Sequence, residues 1–567
     1  YLYLYSNDNY KQKFEGISFV NGNAGANNSG GSILSGQDND VYFDACIFEN
    51  NKAEYYGGAI QSKGKIEIND TIFKNNKVLT TSGSNGGGAL KIYNQSNLNN
   101  SVAVIKNSKF IGNSAQAYRN AQGGAINFDI TADIINTTFI DNYTVSGLNN
   151  SSNSYNSYYM DSEGGALYVE AVNYQNYDYV YETVRLINST FDGNYVDSDF
   201  ITLPDAISGA SIFVMEGKVY MFNSSVTNSH VKYKGEIYNG IYGTSGYYDE
   251  DDKVINFQPN SMDGSIVAVE YSNIQSYKNQ QWGGSYVYDS PPGFKDPVNG
   301  DYSLSDKSPL IGQGSATWSD LNYTAPDKDI LGNPRPNPSG TAPDIGAYEN
   351  VNSVTDAPMP ARNFIAKAIS YGAHLSWSPS RKTISSKENA DNIQYQVYVD
   401  GNSFAQTSDT VFVVTGLTLG QTYSIYLTAK NTSTSKESVA SMLYNVTPQY
   451  LGPWYVAVSG GSTPEEGANQ KEYGSATYPI NNLTNALTVV SEGDTIVMMS
   501  GTHKGLFNRN IELLDKRIVI TGDLSQGPEA TIIDAESKGN HFTITATNSN
   551  NNIDTSMVIQ NLSLIHI

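Results

Sequence analysis

The sequence predicts an all-β chain: a right-handed parallel β-helix, then a β-sandwich, then the truncated start of a second β-helix. Three observations carry this reading. A Gly-Gly-small-Ile/Leu motif recurs at Gly30-Gly31-Ser32-Ile33, Gly57-Gly58-Ala59-Ile60, Gly87-Gly88-Ala89-Leu90, Gly123-Gly124-Ala125-Ile126 and Gly164-Gly165-Ala166-Leu167. Between its copies lies a β-rich stretch ending in Phe-x-x-Asn, from Phe48, Phe73, Phe110, Phe139 and Phe191 to Asn51, Asn76, Asn113, Asn142 and Asn194. Beyond residue 350 these repeats give way to longer alternating runs such as Tyr423-Ser424-Ile425-Tyr426-Leu427-Thr428-Ala429, the pattern of a sandwich strand.

Repeats of 20 to 50 residues mark solenoids or arrays, and here each unit reads strand, turn, strand with no helical period. Stacked coils lie about 4.8 Å apart, so equivalent residues form columns. Asn51, Asn76, Asn113, Asn142 and Asn194 are expected to form one such ladder at a turn. The Gly pairs permit a tight turn before the next strand. Strand parity then sends Ile60, Leu90, Ile126 and Leu167 inward and Gln61, Lys91, Asn127 and Tyr168 to solvent. Further coils are read at Ser208-Gly209-Ala210-Ser211-Ile212 and Gly264-Ser265-Ile266, ending at Tyr271-Ser272-Asn273-Ile274.

These repeats resemble those of bacterial surface β-helix proteins, including polymorphic outer-membrane proteins, which implies secretion or display on the outer cell surface of a bacterium. Gly293-Phe294-Lys295-Asp296-Pro297, Gly300-Asp301-Tyr302-Ser303-Leu304, Ser308-Pro309-Leu310-Ile311 and Asp344-Ile345-Gly346-Ala347-Tyr348-Glu349 are similar to the terminal region of choice-of-anchor β-helix proteins. Gly312 departs from that pattern, where an acidic residue is usual. The segment is expected to cap the last coil, whose open strand edges invite aggregation. Leu375-Ser376-Trp377, Tyr395 to Val399 with Asp400-Gly401, and Leu417-x-x-Gly420-x-x-Tyr423, which reads as a tyrosine corner, resemble a fibronectin type III module. Tyr455-Val456-Ala457-Val458, a helical stretch near Ile480 to Ser491, Gly493-Asp494-Thr495-Ile496 and Thr531-Ile532-Ile533-Asp534 resemble the opening of a pectate-lyase-like β-helix, the pectin lyase fold. The expected organisation is a β-helix over 1–285, a cap over 286–350, linker and sandwich over 351–449, and the second β-helix over 450–561. Residues 562–567 read as a translated sequencing adapter, a scar on a metagenomic fragment.

The composition limits partners. The chain of 567 residues carries 34 Lys and Arg against 56 Asp and Glu, a net charge of −22, with 16% charged residues and 42 tyrosines. Such a chain releases few phosphate counterions, which argues against nucleic acid or an anionic membrane. Calcium or a neutral glycan fits better. Cys46, the single cysteine, excludes an intrachain disulfide and a cysteine-rich zinc site. No apolar run reaches the length of a membrane span. The first residue is Tyr1, so the lack of a leader peptide carries no information.

Catalytic vocabulary is sparse. The five histidines His230, His374, His503, His541 and His566 lack zinc spacing, and no phosphate-binding or nucleophile-elbow motif occurs. The run Asp249-Glu250-Asp251-Asp252 is acidic but lacks the alternation of a calcium loop. No metal site or cofactor is predicted. One constellation stands out: Lys63, Tyr93, Asp129 and Glu170 each lie three residues past an inward Ile or Leu and form an outward ladder. Neighbouring carboxylates at Asp129 and Glu170 are a candidate acid and base about 5 Å apart, or simply part of a solvated sheet face. Two long insertions bracket the coil at Gly164 and contain Tyr143, Tyr155, Tyr158, Tyr159, Tyr174, Tyr177, Tyr179 and Tyr181 among Asn and Ser, a composition like that of antibody contact loops. Tyr155, Tyr158, Tyr159, Tyr174 and Tyr177 are read as a ligand-binding rim. The function expected is a secreted or cell-surface binding and adhesion protein for an extracellular glycan or protein. A glycan-cleaving glycoside hydrolase or lyase and a structural stalk remain as alternatives; the sandwich reads as a spacer. The oligomeric state is open.

Overall fold

A computed structural model describes residues 1–4, 10–26, 28–36, 39–81, 83–93, 102–148, 161–175, 178–198, 207–233, 236–237, 255–257, 266–275, 283–467, 470–514, 517–545 and 557–565. It divides into two compact units, Tyr1–Pro360 with Ser380–Ile393 and Ala429–Ala440, and Ala361–Pro379 with Gln394–Thr428 and Ser441–Ile567.

The first unit is a right-handed parallel β-helix. One long sheet contains Ile33–Ser35, Ile60–Ser62, Leu90–Ile92, Ile126–Phe128, Leu167–Glu170 and Ile212–Glu216, with Ile60, Leu90, Ile126, Leu167 and Ile212 in one register. A second runs from Tyr10–Glu15 to Gly283–Ser285, and a third from Ser18–Val20 to Asn273–Ile274. The inner faces meet in a core where Phe48, Phe73, Phe110, Phe139 and Phe191 stack face to face at 4.8, 4.7, 4.9 and 4.6 Å between centroids. Each ring is fully buried.

Local chemistry explains the repeat. Gly57 has φ +60°, and a Cβ on the next residue, Gly58, would stand 2.0 Å from the Gly88 carbonyl oxygen of the following coil. The first glycine thus turns the chain and the second lets the coils close on each other. Three residues after each stacked phenylalanine, the asparagine side chains form a continuous chain of bonds: Asn51 to Asn76 at 2.8 Å, Asn76 to Asn113 at 2.9 Å, Asn113 to Asn142 at 2.9 Å and Asn142 to Asn194 at 3.0 Å, Nδ2 to Oδ1.

Two expectations are corrected. Gln61, Lys91, Asn127 and Tyr168 do leave the core, but they are 7%, 9%, 2% and 3% exposed rather than solvated. Side chains on both sides of them shield them from water, and Lys91 and Gln61 bond to Asp129 and Tyr93, as described below. Of the coil start read at Gly264-Ser265-Ile266, the first two residues lie outside the described residues and Ile266 belongs elsewhere: Ile255–Phe257 supplies that coil's strand in the sheet of the Gly-Gly repeats, while Ile266–Glu270 pairs with Lys218–Phe222 in the second sheet. Ile266 is accordingly exposed.

The segment from 286 to 350 has a lateral course. It runs along the side of the helix, where the Asn136, Asn188 and Asn223 side chains donate to the carbonyls of Lys328, Asp344 and Ser315 at 2.7, 3.2 and 2.7 Å. Its Tyr302, Ile330 and Tyr348 cover the outward Ile111 and Ile140, and Trp318 covers Phe222 and Ile187. Gly312 has φ +65°, donates to Asp344 Oδ1 at 2.7 Å, and leaves no room for a Cβ, which would meet the Ser353 carbonyl oxygen at 2.2 Å. An acidic side chain does not fit there.

The second unit opens with antiparallel, sandwich-like sheets. Arg362–Ile369, Gly372–Ser378 and Val411–Thr415 form one, and Asn402–Thr407, Ile393–Val399, Tyr423–Asn431 and Tyr444–Val446 the other. Trp377 packs edge-on against Tyr395 at 5.3 Å, the Asp400-Gly401 turn has φ +49° and +75°, and Tyr423 Oη accepts the Thr418 N–H at 3.0 Å. Parallel strands then resume. Trp454–Val456, Thr495–Met498, Val519–Gly522 and Val558–Gln560 form one sheet, and Gly501–His503, Thr531–Asp534 and Ser563–Ile565 another. The short helix Leu483–Val489 starts at Asn482, whose side chain accepts the Asn485 N–H at 2.8 Å. Ser563–Ile565 pairs in parallel with Ile532 to Asp534. Among the described residues no helix is long and apolar enough to cross a membrane.

Candidate functional site

The outward face of the Gly-Gly sheet carries three parallel columns. The first holds the residue before each Gly-Gly pair: Tyr56, Gly86, Gln122 and Glu163, in register through the bridge of Tyr56 to Gly86 and the pairs of Gly86 with Gln122 and Gln122 with Glu163. The middle column is Gln61, Lys91, Asn127 and Tyr168. The third is Lys63, Tyr93 and Asp129, one step past their strands, and Glu170 at the end of its own, each three residues after the inward Ile or Leu.

The middle column is a bonded floor. Lys91 Nζ donates to Asn127 Oδ1 at 2.8 Å and to Asp129 Oδ1 at 2.5 Å, and lies 5.9 and 5.8 Å from the centroids of Tyr56 and Tyr93. Gln61 Nε2 donates to Tyr93 Oη at 3.0 Å. Gly86 admits Asn127, whose Nδ2 would stand 2.5 Å from a Cβ at that position. Above the floor, Tyr56 and Glu170 are exposed and Tyr93 and Asp129 half-buried. The arrangement is a groove with buried polar supports and an accessible line of Tyr56, Tyr93, Asp129 and Glu170.

Its electrostatics are acidic at one end. Burial first, then repulsion from Asp161 and Glu170, pushes Glu163 up to about 7, against the bond it accepts from Gln122 Nε2 at 3.1 Å. Glu170 is raised by desolvation against the groove wall, then by Asp129 and Glu216, while Lys91 and a bond from Tyr168 oppose the shift. Water reaches this exposed carboxyl, so its shift is screened. Tyr56 is raised by desolvation and then by Asp129, which places its hydroxyl within reach of that charge.

Continuing the register of Asn127 with Tyr168 and Phe128 with Val169 brings Asp129 and Glu170 to adjacent coils. Tyr155, Tyr158, Tyr159 and Tyr177 lie outside the described residues, as does the acidic run at 249–252. Tyr174 sits on Val172–Gln175, which pairs with Asp178–Tyr181 in a hairpin that leaves the coil just after Glu170 and returns at Glu182. The Asn51 to Asn194 ladder lies at a different, fully buried corner. Sequence reasoning placed Lys91 and Asn127 on a solvated face and passed over Tyr56 and Glu163; their fixed offsets from Gly-Gly were the available signal.

A second aromatic column, Tyr143, Tyr195 and His230, offers no comparable site. Its rings stack on one another at 4.8 and 5.4 Å and Lys232 covers Tyr195 at 3.6 Å, so the faces a ligand would use are occupied. Among the described residues no three His, Cys, Asp or Glu side chains gather as a metal site.

Residues 45–63 match the Chlamydia polymorphic membrane protein (Chlamydia_PMP) repeat. The match spans one Phe-x-x-Asn and one Gly-Gly-Ala-Ile, the two signals that build the stacked core and the turn. It points to a bacterial outer-membrane or cell-surface protein. No curated protein matches the chain.

Proposed function

We propose that this chain is an adhesin-like bacterial surface protein whose β-helix groove captures a saccharide. The carrying observation is the buried floor: Lys91 and Gln61 are held beneath Asp129 and Tyr93 and fix them before any ligand arrives. A purely structural sheet face has no use for a buried lysine, whose desolvation costs stability. Exposed tyrosines beside fixed polar groups suit sugar rings, which offer an apolar face and a hydroxyl edge. A coil spacing of about 4.8 Å is close to the length of one sugar unit, so a chain lying along the helix axis meets one coil per residue. In this reading the lateral segment 286–350 is a choice-of-anchor-type terminal region, the sandwich a fibronectin type III spacer, and the final parallel sheets the start of a second pectin-lyase-type helix. The test is a glycan array probed with the whole chain and with Tyr56→Ala/Tyr93→Ala. Saccharides retained by the first and lost by the second support the reading; identical profiles reject it.

The adjacency of Asp129 and Glu170 favours one further reading, glycoside hydrolysis with Glu170 as acid. Against it, Asp129 is already engaged by Lys91. A bound polysaccharide that keeps its length over prolonged incubation ends that reading for the polymer tested.

A further inference from the structure

Lys91 and Asn127 are direct partners on neighbouring strands, and their side chains meet at 2.8 Å, Nζ to Oδ1. The same ammonium donates to Asp129 Oδ1 at 2.5 Å. An amine, a carboxamide and a carboxylate are thus held together where water hardly reaches. Lys91 is 9% exposed and Asn127 2%, and the rings of Tyr56 and Tyr93 stand beside the ammonium. The lysines of the surface pairs Lys13 with Glu15 and Lys65 with Glu67 stand in water instead.

We infer that Lys91 and Asn127 join in an intramolecular isopeptide bond between neighbouring coils, with Asp129 carrying the protons. Asp129 takes one proton from Nζ, the freed lone pair forms a bond to Asn127 Cγ, and Asp129 passes its proton to Nδ2. The Cγ–Nδ2 bond then breaks and the carbonyl re-forms. The second displaced proton of Nζ leaves by way of Asp129, so one ammonium is released and Asp129 is a carboxylate again. Nothing is oxidised or reduced, and no co-reactant is needed. The leaving nitrogen lies 2.5 Å from where a Cβ of residue 86 would stand, and Gly86 puts no side chain there. Holding amine and amide in contact replaces a bimolecular encounter. The step is slow nonetheless, since an ammonium seldom yields its proton to a carboxylate. Fresh protein is therefore the ion-paired form, and the linked form builds up with age.

The bond ties together residues 36 apart in the chain and constrains the unfolded state as a disulfide would. Cys46, the single cysteine, has no partner within the chain for such a bridge. Linkage also makes the floor of the groove covalent, and the new amide keeps one N–H as a donor for Asp129. It is read by mass rather than by binding, so its failure and that of saccharide capture are separate results.

The experiment is peptide mapping by mass spectrometry of the whole chain, sampled fresh and through prolonged incubation at neutral and mildly alkaline pH. The expected result is a branched peptide joining the segments around Lys91 and Asn127, lighter than their sum by one ammonia, which grows with time as the melting temperature rises. Lys91→Arg and Asn127→Ala should never form it, and Asp129→Ala should form it about a hundredfold more slowly. Circular dichroism checks that the variants keep their β-structure, and the parent chain alone decides the matter if one does not. Absence of the branched peptide from the aged parent chain overturns the inference. A branch from Lys91 to Asp129 with loss of water overturns the assignment of Asn127, and an unchanged rate in Asp129→Ala overturns the proton-carrying role.

Discussion

Arg335 Nε donates to Glu349 Oε2 at 2.8 Å, with both side chains wholly withdrawn from solvent. The pair ties the lateral segment to itself and to the helix, since Arg335 also donates to Asn136 Oδ1 at 2.7 Å and to the Gly346 carbonyl at 3.1 Å. Glu349 further accepts the N–H groups of Asn337 and Asp344 at 3.0 and 3.2 Å. Burial raises the Glu349 carboxyl and Arg335 opposes that shift. Two buried charges are tolerated only when their remaining bonding capacity is met in this way. Removing one partner strands the other, so Glu349→Ala should cost about 3–5 kcal/mol. Denaturant midpoints of the whole chain check this; a midpoint equal to that of the parent protein would show that the segment contributes nothing to stability.

The asparagine ladder makes a second stability prediction. Asn113 Oδ1 accepts both the backbone N–H and the side-chain Nδ2 of Asn76, at 3.0 and 2.9 Å, in a fully buried corner. Asn113→Ala leaves two buried donors unmatched and should cost about 1–3 kcal/mol. The measurement is the thermal midpoint of the first transition. No change would mean that water replaces the amide at no cost.

The scaffold was legible because its determinants repeat. Phe48 to Asn51 and Gly57 to Ile60 recur with fixed offsets, and one fold satisfies both the stacked rings and the Gly-Gly turns. The groove was only half legible. Asp129 and Glu170 follow from parity, but the burial of Lys91 depends on what rises in the neighbouring columns, Tyr56 on one side and Tyr93 on the other, and that is a property of the assembled array. The lateral course of the 286–350 segment was hidden for a similar reason. Ile111 and Ile140 look like ordinary outward apolar residues until Tyr302 and Tyr348 are placed on them. At Ile266 the letters suggested the Gly-Gly sheet, but the residue opens a strand of the second sheet, paired with Lys218.

Buried carboxyls set the pH response of the first unit. Glu163 and Asp192 are both pushed up to about 7, from ordinary values of 4.5 and 3.8. Burial is the main cause for each, and the bonds Asp192 accepts from Thr227 and Asn228 at 2.8 and 2.6 Å oppose it. Between about pH 4 and 7 the folded state keeps these protons while the unfolded chain has released them. Their contribution is therefore fully present below the unfolded values and is lost as pH rises through about 7. Glu163→Gln cannot lose it, so the variant should gain on the parent protein as pH goes from 5 to 8. Paired melting curves at those two values decide it; a constant gap between them would show that Glu163 is not desolvated.

Lys91 provides the last prediction, because it acts on two carboxyls at once. It anchors Asp129 directly at 2.5 Å, and its charge also holds Glu170 down against the desolvation that raises it. Lys91→Met keeps much of the side-chain volume over the floor while removing both effects. Asp129 is half-buried rather than enclosed, so water can replace the lost ammonium and the fold should survive. Glu170 should then protonate at higher pH, and the low-pH limb of saccharide binding should move upward with it. Affinity at neutral pH should fall about tenfold, since Asp129 is no longer fixed and the groove must order it on binding. Lys91→Arg should restore the position of that limb, because the charge returns near the same place. If Lys91→Met weakens binding without moving the limb, Lys91 serves only as packing beneath the site. If it does neither, the groove is not where the ligand binds.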